Sequence, residues 1–112
     1  MLFRSTAINP TFGAVQIYEG STDNTAGPVD ITPPDSTGGQ IIITSYQSAT
    51  GRSTWIIPYS KHGTNLTLGT PQTTYITADP IISVANSSGA ARVTLALSST
   101  YVKWGFVYTP IA

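Results

Sequence analysis

Between Arg92 and Ser98 the side chains alternate strictly: Val93, Leu95 and Leu97 fall on one side of an extended chain, and Arg92, Thr94 and Ser98 on the other. An apolar period of two fits a half-buried antiparallel strand and does not fit a helix. The last stretch repeats the pattern, with Val102, Trp104, Phe106 and Tyr108 on one side. Turn-forming residues recur every eight to twelve positions or so, the spacing of a sandwich or barrel. Strands are therefore expected near 2–8, 13–19, 40–47, 53–59, 64–68, 73–78, 80–86, 90–98 and 101–109. The last two, divided by Ser99 and Thr100, are expected to pair as a hairpin. Composition agrees. About a quarter of the residues are Ser or Thr and only 9% are charged, a mixture that disfavours helices and suits a pleated surface. The fold class that follows is all-β: an antiparallel two-sheet sandwich, jelly-roll or Ig-like, with short strands and no significant helix.

Two continuous apolar runs, Ile41-Ile42-Ile43 and Trp55-Ile56-Ile57, read as strands covered on both faces. Gly38-Gly39 reads as a turn before the first, and Ser48 to Gly51 as the hairpin loop between the two. Pro58, Pro71 and Pro80 each lack a ladder donor and belong at edges or strand starts. The expected core is Val15, Ile17, Trp55, Ile57, Val93, Leu95, Leu97 and Trp104. Residues 20–39 form a long Pro/Gly-rich region. It is expected either as a solvent-facing loop or arm, or as a surface crossover with Val29-Asp30-Ile31 as a short strand.

The length of 112 residues fits one domain, 1–112, with 1–12 as an N-terminal arm. Absence of cysteine excludes disulfides. Arg4, Arg52, Lys61, Arg92 and Lys103 stand singly among Glu19, Asp23, Asp30, Asp35 and Asp79, for a formal net charge of zero. Without a basic stripe, no nucleic-acid partner is expected. The N-terminus lacks the pattern of a secretory signal and no run is long enough to cross a bilayer. The expectation is synthesis in a cytoplasm without a signal peptide, and no membrane partner.

Reactive groups are sparse. Ser60 lies two residues from the only histidine, His62, but no nucleophile elbow surrounds it, and the segment reads as a turn. Asp30 and Asp35 sit in Pro-rich sequence, where turn-forming aspartates are common. One His and no Cys make a metal site unfavourable. Asn65-Leu66-Thr67 and Asn86-Ser87-Ser88 match the glycosylation pattern, which arises by chance in a chain so rich in Ser and Thr. No catalytic residue, metal or cofactor is expected, and the chain is not expected to be an enzyme.

The candidate residues are therefore contact residues. Met1, Leu2, Phe3 and Arg4 would form an apolar arm able to add to a sheet. Asp23, Asn24, Pro33 and Pro34 lie in the 20–39 region, and Tyr46 and Tyr101 are strand tyrosines suited to interfaces or to sugar stacking. The segments Gly39 to Ile43, Ser53 to Ile57, Val93 to Leu95 and Tyr101 to Val107 together resemble small β-domains of tailed-bacteriophage virions, capsid decoration (cement) proteins and trimeric fibre or spike modules. The resemblance implies a structural protein located on the virion, at the capsid surface. It further implies a homo-oligomer, most often a trimer, that stabilises the shell by bridging subunits of the major capsid protein. The alternative it leaves open is a tail fibre or spike module that binds a receptor or carbohydrate.

Overall fold

The computed structural model describes residues 20–25, 28–96 and 98–111. They form strands and no helix: β1 (Gly20–Thr25), β2 (Val29–Ile31), β3 (Thr37–Ser48), β4 (Gly51–His62), β5 (Asn65–Leu68), β6 (Gln72–Thr77), β7 (Ile81–Ser87), β8 (Ala90–Leu95) and β9 (Ser98–Pro110). Six strands make one sheet in the order β1-β9-β3-β4-β5, with β6 also on β4, and three make a second sheet in the order β2-β8-β7. Every strand pair is antiparallel. The expected all-β, two-sheet sandwich is the observed architecture.

Register explains the core. Ile41 stands opposite Ile57 and Phe106, and Ile43 opposite Trp55 and Trp104, so the alternation of three neighbouring strands points one apolar set inward. That set, with Tyr59, Leu66 and Val102, packs against Val29, Ile31, Ile81, Ala91, Val93 and Leu95 of the smaller sheet. Asp79 fastens the link between β6 and β7 to the core. Its carboxylate accepts from Trp55 Nε1 at 2.8 Å and from the Ile81 amide at 2.9 Å.

Trp55, Ile57, Val93 and Leu95 are buried as expected. Trp104 faces the same way but is only partly buried, because a three-stranded sheet cannot cover a six-stranded one to its margin. Val15, Ile17 and Leu97, the expected strands at 2–8 and 13–19, and the arm 1–12 lie outside the described residues.

Several expectations are corrected. Residues 90–95 and 98–110 do not form a hairpin: β8 pairs with β2 and β7, whereas β9 pairs with β1 and β3. The chain changes sheets between them, at a corner held by a hydrogen bond from the Ala96 amide to the Pro80 carbonyl, 2.8 Å. Of the two readings of 20–39, the one with Val29-Asp30-Ile31 as a short strand is observed, as β2 paired with β8; the strand β1, paired with β9, was not expected. The central strands are not short: β3 and β4 have 12 residues each and β9 has 13. Ile42 and Ile56 are not covered like their neighbours; they point outward and stay half-buried. Gly38 and Gly39 are no turn but part of β3. Gly39 lies between Tyr59 and Tyr108 in one cross-strand row. A Cβ there would run into the Val107 carbonyl and come within 2.7 Å of Tyr108 Cα.

The Ser48 to Gly51 hairpin is present, with the Ser48 hydroxyl accepting from the Gly51 amide at 3.1 Å. Pro58 lies inside β4, but the edge strands part around it: β6 pairs with residues 52–56 and β5 with 59–62. Its carbonyl accepts from Gly69 on that side, 2.7 Å away. In an extended residue N and C=O turn to the same edge, so the missing donor falls in the gap.

Two stability outcomes follow. Phe106→Ala, at a site 1% exposed, is expected to cost about 3 to 5 kcal/mol in denaturant unfolding. Gly39→Ala should cost about 1 to 3 kcal/mol although it adds one methyl group, because the obstacle is backbone.

Candidate functional site

The outward face of the larger sheet is where candidate residues converge. Asp23 on β1 stands opposite Tyr101 on β9, Tyr101 opposite Tyr46 on β3, Tyr46 opposite Arg52 on β4, and Arg52 opposite Ile76 on β6. Five strands thus contribute one residue each to a single row, about 19 Å across at the usual strand spacing. Residues directly opposite in a sheet share a face, so the row is a consequence of register alone. Tyr46 and Tyr101 are 49% and 53% exposed, too open for core tyrosines. Tyr59, another strand tyrosine, is buried, and its hydroxyl lies 2.7 Å from Thr37 Oγ1. Because Thr37 gives its single proton to the Pro34 carbonyl, Tyr59 is the donor in that pair.

The next row holds Lys103, Thr44, Thr54 and Thr74. Beyond it, Gly105 opposite Ile42 leaves a trough of about 220 Å³, walled by Ile42, Val107 and Lys103. A second, larger cleft of about 430 Å³ runs beside Tyr46, Arg52, Thr54 and Ile76. Among the described residues neither Arg52 nor Lys103 has an ion-pair partner; the ion pair present joins Arg92 to Asp30 on the outside of the smaller sheet, 2.8 Å. The face therefore offers two rings, two cations and a ladder of hydroxyls.

Sequence candidates outside this row fare differently. Asn24 follows Asp23 on β1, opposite Thr100. Pro33 is buried, its carbonyl accepting from Lys61 Nζ at 3.2 Å, and the Pro34 carbonyl is taken by Thr37. Pro33 is thus closed to contact, whereas Pro34 remains half-buried with its ring partly open. Met1, Leu2, Phe3 and Arg4 lie outside the described residues. Arg52 and Ile76 were not singled out by sequence, because nothing local to either announces which strand will lie beside its own.

Among the described residues, the groups weighed for chemistry stand apart or serve the fold. Ser60 and His62 are both exposed on β4, and no hydrogen bond joins them. Asp35 accepts from the Gly63 amide. Among the described residues no three His, Cys or acidic side chains gather around a possible metal position. Asn86 of the glycosylation-like triplet accepts from the Gly89 amide at 3.0 Å in the β7–β8 turn.

No family model and no curated protein matches this sequence. Among solved structures, the fold is similar to part of the tailspike protein of Acinetobacter phage vB_ApiP_P1, with a TM-score of 0.56 and 11% identity. The likeness covers 84% of this chain and 21% of the tailspike, so the chain spans about a fifth of that protein's length.

Asp35 is held below its ordinary value first by the Gly63 amide, and Asp30 first by its hydrogen bond to Arg92. A lowered folded-state pKa stabilises fully above the unfolded value, and the gain is lost as pH falls through the folded one. The melting temperature should hold steady down to the ordinary value near 3.8 and drop below it. Asp35→Asn should shrink the drop in a pH series of thermal melts.

Proposed function

We propose that this chain is a non-enzymatic binding module of a bacteriophage tail structure, and that it engages a surface carbohydrate through the Tyr101-Tyr46-Arg52-Ile76 part of the row. The single observation that carries the reading is that row. Two half-exposed rings set side by side offer apolar faces to sugar rings while the phenol tips stay wet. Arg52 beside them offers several fixed donors to ring hydroxyls. The likeness of most of the chain to a segment of a tailspike supports a place on the tail. Capsid decoration through the 20–39 region has less behind it, since Pro33 is buried. Residues 1–4 remain candidates for attachment to the rest of the virion.

The test is a direct comparison of ligands. Purified protein is expected to bind host-surface polysaccharide on a glycan array and not to cosediment with phage shells lacking it. Tyr46→Ala and Tyr101→Ala should each remove about 1 to 1.5 kcal/mol, close to a tenfold loss in affinity, with little change in melting temperature. Cosedimentation with shells and no glycan binding would replace this reading with decoration.

A further inference from the structure

We infer that the outer edge of β6 is a self-association surface, on which a second copy of this chain adds its own β6 in antiparallel register. Among the described residues this strand is the last on its side of β4, and all six of its residues, Gln72–Thr77, are exposed. Alternate residues of a strand turn their N–H and C=O away from the partner, so β6 presents donors and acceptors that find no partner strand among the described residues.

Edge strands are ordinarily guarded by a charge, a proline, a bulge or brevity. Each other edge in the described residues carries such a guard. In β1 the register shifts between Asn24 and Thr25, and the strand includes Asp23. β2 has three residues, with Asp30 in the middle paired to Arg92. β5 has four residues, and β7 bulges between Ile81 and Ser83. Within its ladder with β4, Gln72 to Ile76, β6 has no such guard, neither charge, proline nor bulge; Pro71 and the left-handed Thr77, φ 60°, only bound it at its ends. Its Thr73, Thr74, Tyr75 and Ile76 are strong strand formers.

A second copy fits this edge because a neutral strand meeting itself opposes no like charges in any register. The formal net charge of zero leaves the two molecules without long-range repulsion. Tyr75 and Ile76, 56% and 47% exposed, supply cross-strand apolar contact at the seam. Antiparallel self-pairing is isologous and closes as a two-fold dimer. The axis stands perpendicular to the joined sheet, so the outward faces of both copies turn to the same side. Two Tyr101-Tyr46 rows would then share one surface, the geometry by which a repeating polymer gains avidity.

The experiment measures mass by size exclusion with light scattering and sedimentation, and backbone exchange by deuterium labelling. Wild-type protein is expected to be a dimer that dissociates on dilution, with exchange across Gln72–Thr77 slowing as concentration rises. Tyr75→Lys and Ile76→Lys, folded by circular dichroism, should each weaken the dimer about a hundredfold, because each brings two like charges close to the two-fold axis and removes an apolar contact at the seam. Ile82→Lys, on the exposed edge of β7, should leave the dimer intact. A wild-type monomer at the highest soluble concentration would overturn the inference. So would exchange at β6 that ignores concentration, or an oligomer of any order that both lysine variants retain.

Discussion

Among the described residues, one face of a sheet five strands across is covered by a sheet of three, and the rest of the molecule is arranged around that mismatch. Where the smaller sheet reaches, the larger one shows Ile41, Ile43, Ile57, Val102 and Phe106, all essentially inaccessible. Toward the margins the inward positions change character. Trp104 and Tyr108 pack on the core with one side open, and Ser45 and Ser53 bury their hydroxyls only by bonding each other at 2.7 Å. A buried hydroxyl without a partner costs more than a buried pair, so a matched pair is the arrangement such a margin tolerates.

The long central strands exist because backbone, as well as side chains, permits them. β3 makes continuous ladders on both sides, to β4 and to β9, and Gly39 is the point where only a bare backbone fits between them. Pro58 has the opposite effect one strand away. By removing a donor from the outer side of β4 it divides that edge, and Gly69, whose missing side chain would touch Pro58 Cβ and Cγ at 3.2 and 3.3 Å, lets the chain turn tightly over the break. β5 then ends beside Pro58, and β6 starts again beyond it. The same proline that breaks the edge thus leaves β6 a separate outermost strand.

Local alternation was enough to read the class of fold and seven of the strand positions, and Ile57, Val93 and Leu95 were legible as core from their neighbours alone. What the residues could not announce was partnership. The Ser99-Thr100 link looks like a hairpin turn because its flanking strands are close in sequence, yet those strands lie in different sheets; the choice depends on packing across the whole sandwich. The row of contact residues is a clearer case. Asp23, Tyr46 and Tyr101 stood out one by one, from their exposure-prone chemistry. Their alignment, and the addition of Arg52 and Ile76, needed four ladders between strands distant in sequence. Pro33 is buried where its neighbour Pro34 is half-open, because proline in a polar stretch signals a turn without saying which way its ring faces.

A surface of hydroxyls in place of charges also shapes what the outward face can do. A surface built on Lys and Glu must shed tightly held water from each ion before anything apolar can lie on it, and that desolvation is costly unless a new partner replaces the water. Thr44, Thr54 and Thr74 form a hydroxyl ladder across three adjacent strands, flanked by Tyr46 and Tyr101. Removing water from hydroxyls and rings costs far less, and each hydroxyl can both donate and accept, so it tolerates many orientations of a polyhydroxylated ligand. Arg52 and Lys103, the two cations of these rows, lack carboxylate partners among the described residues and need no ion pair to be broken first. The sequence property that forced the chain into strands, hydroxyls in place of charges, is therefore the same property that leaves its broad face inexpensive to desolvate and suited to contact.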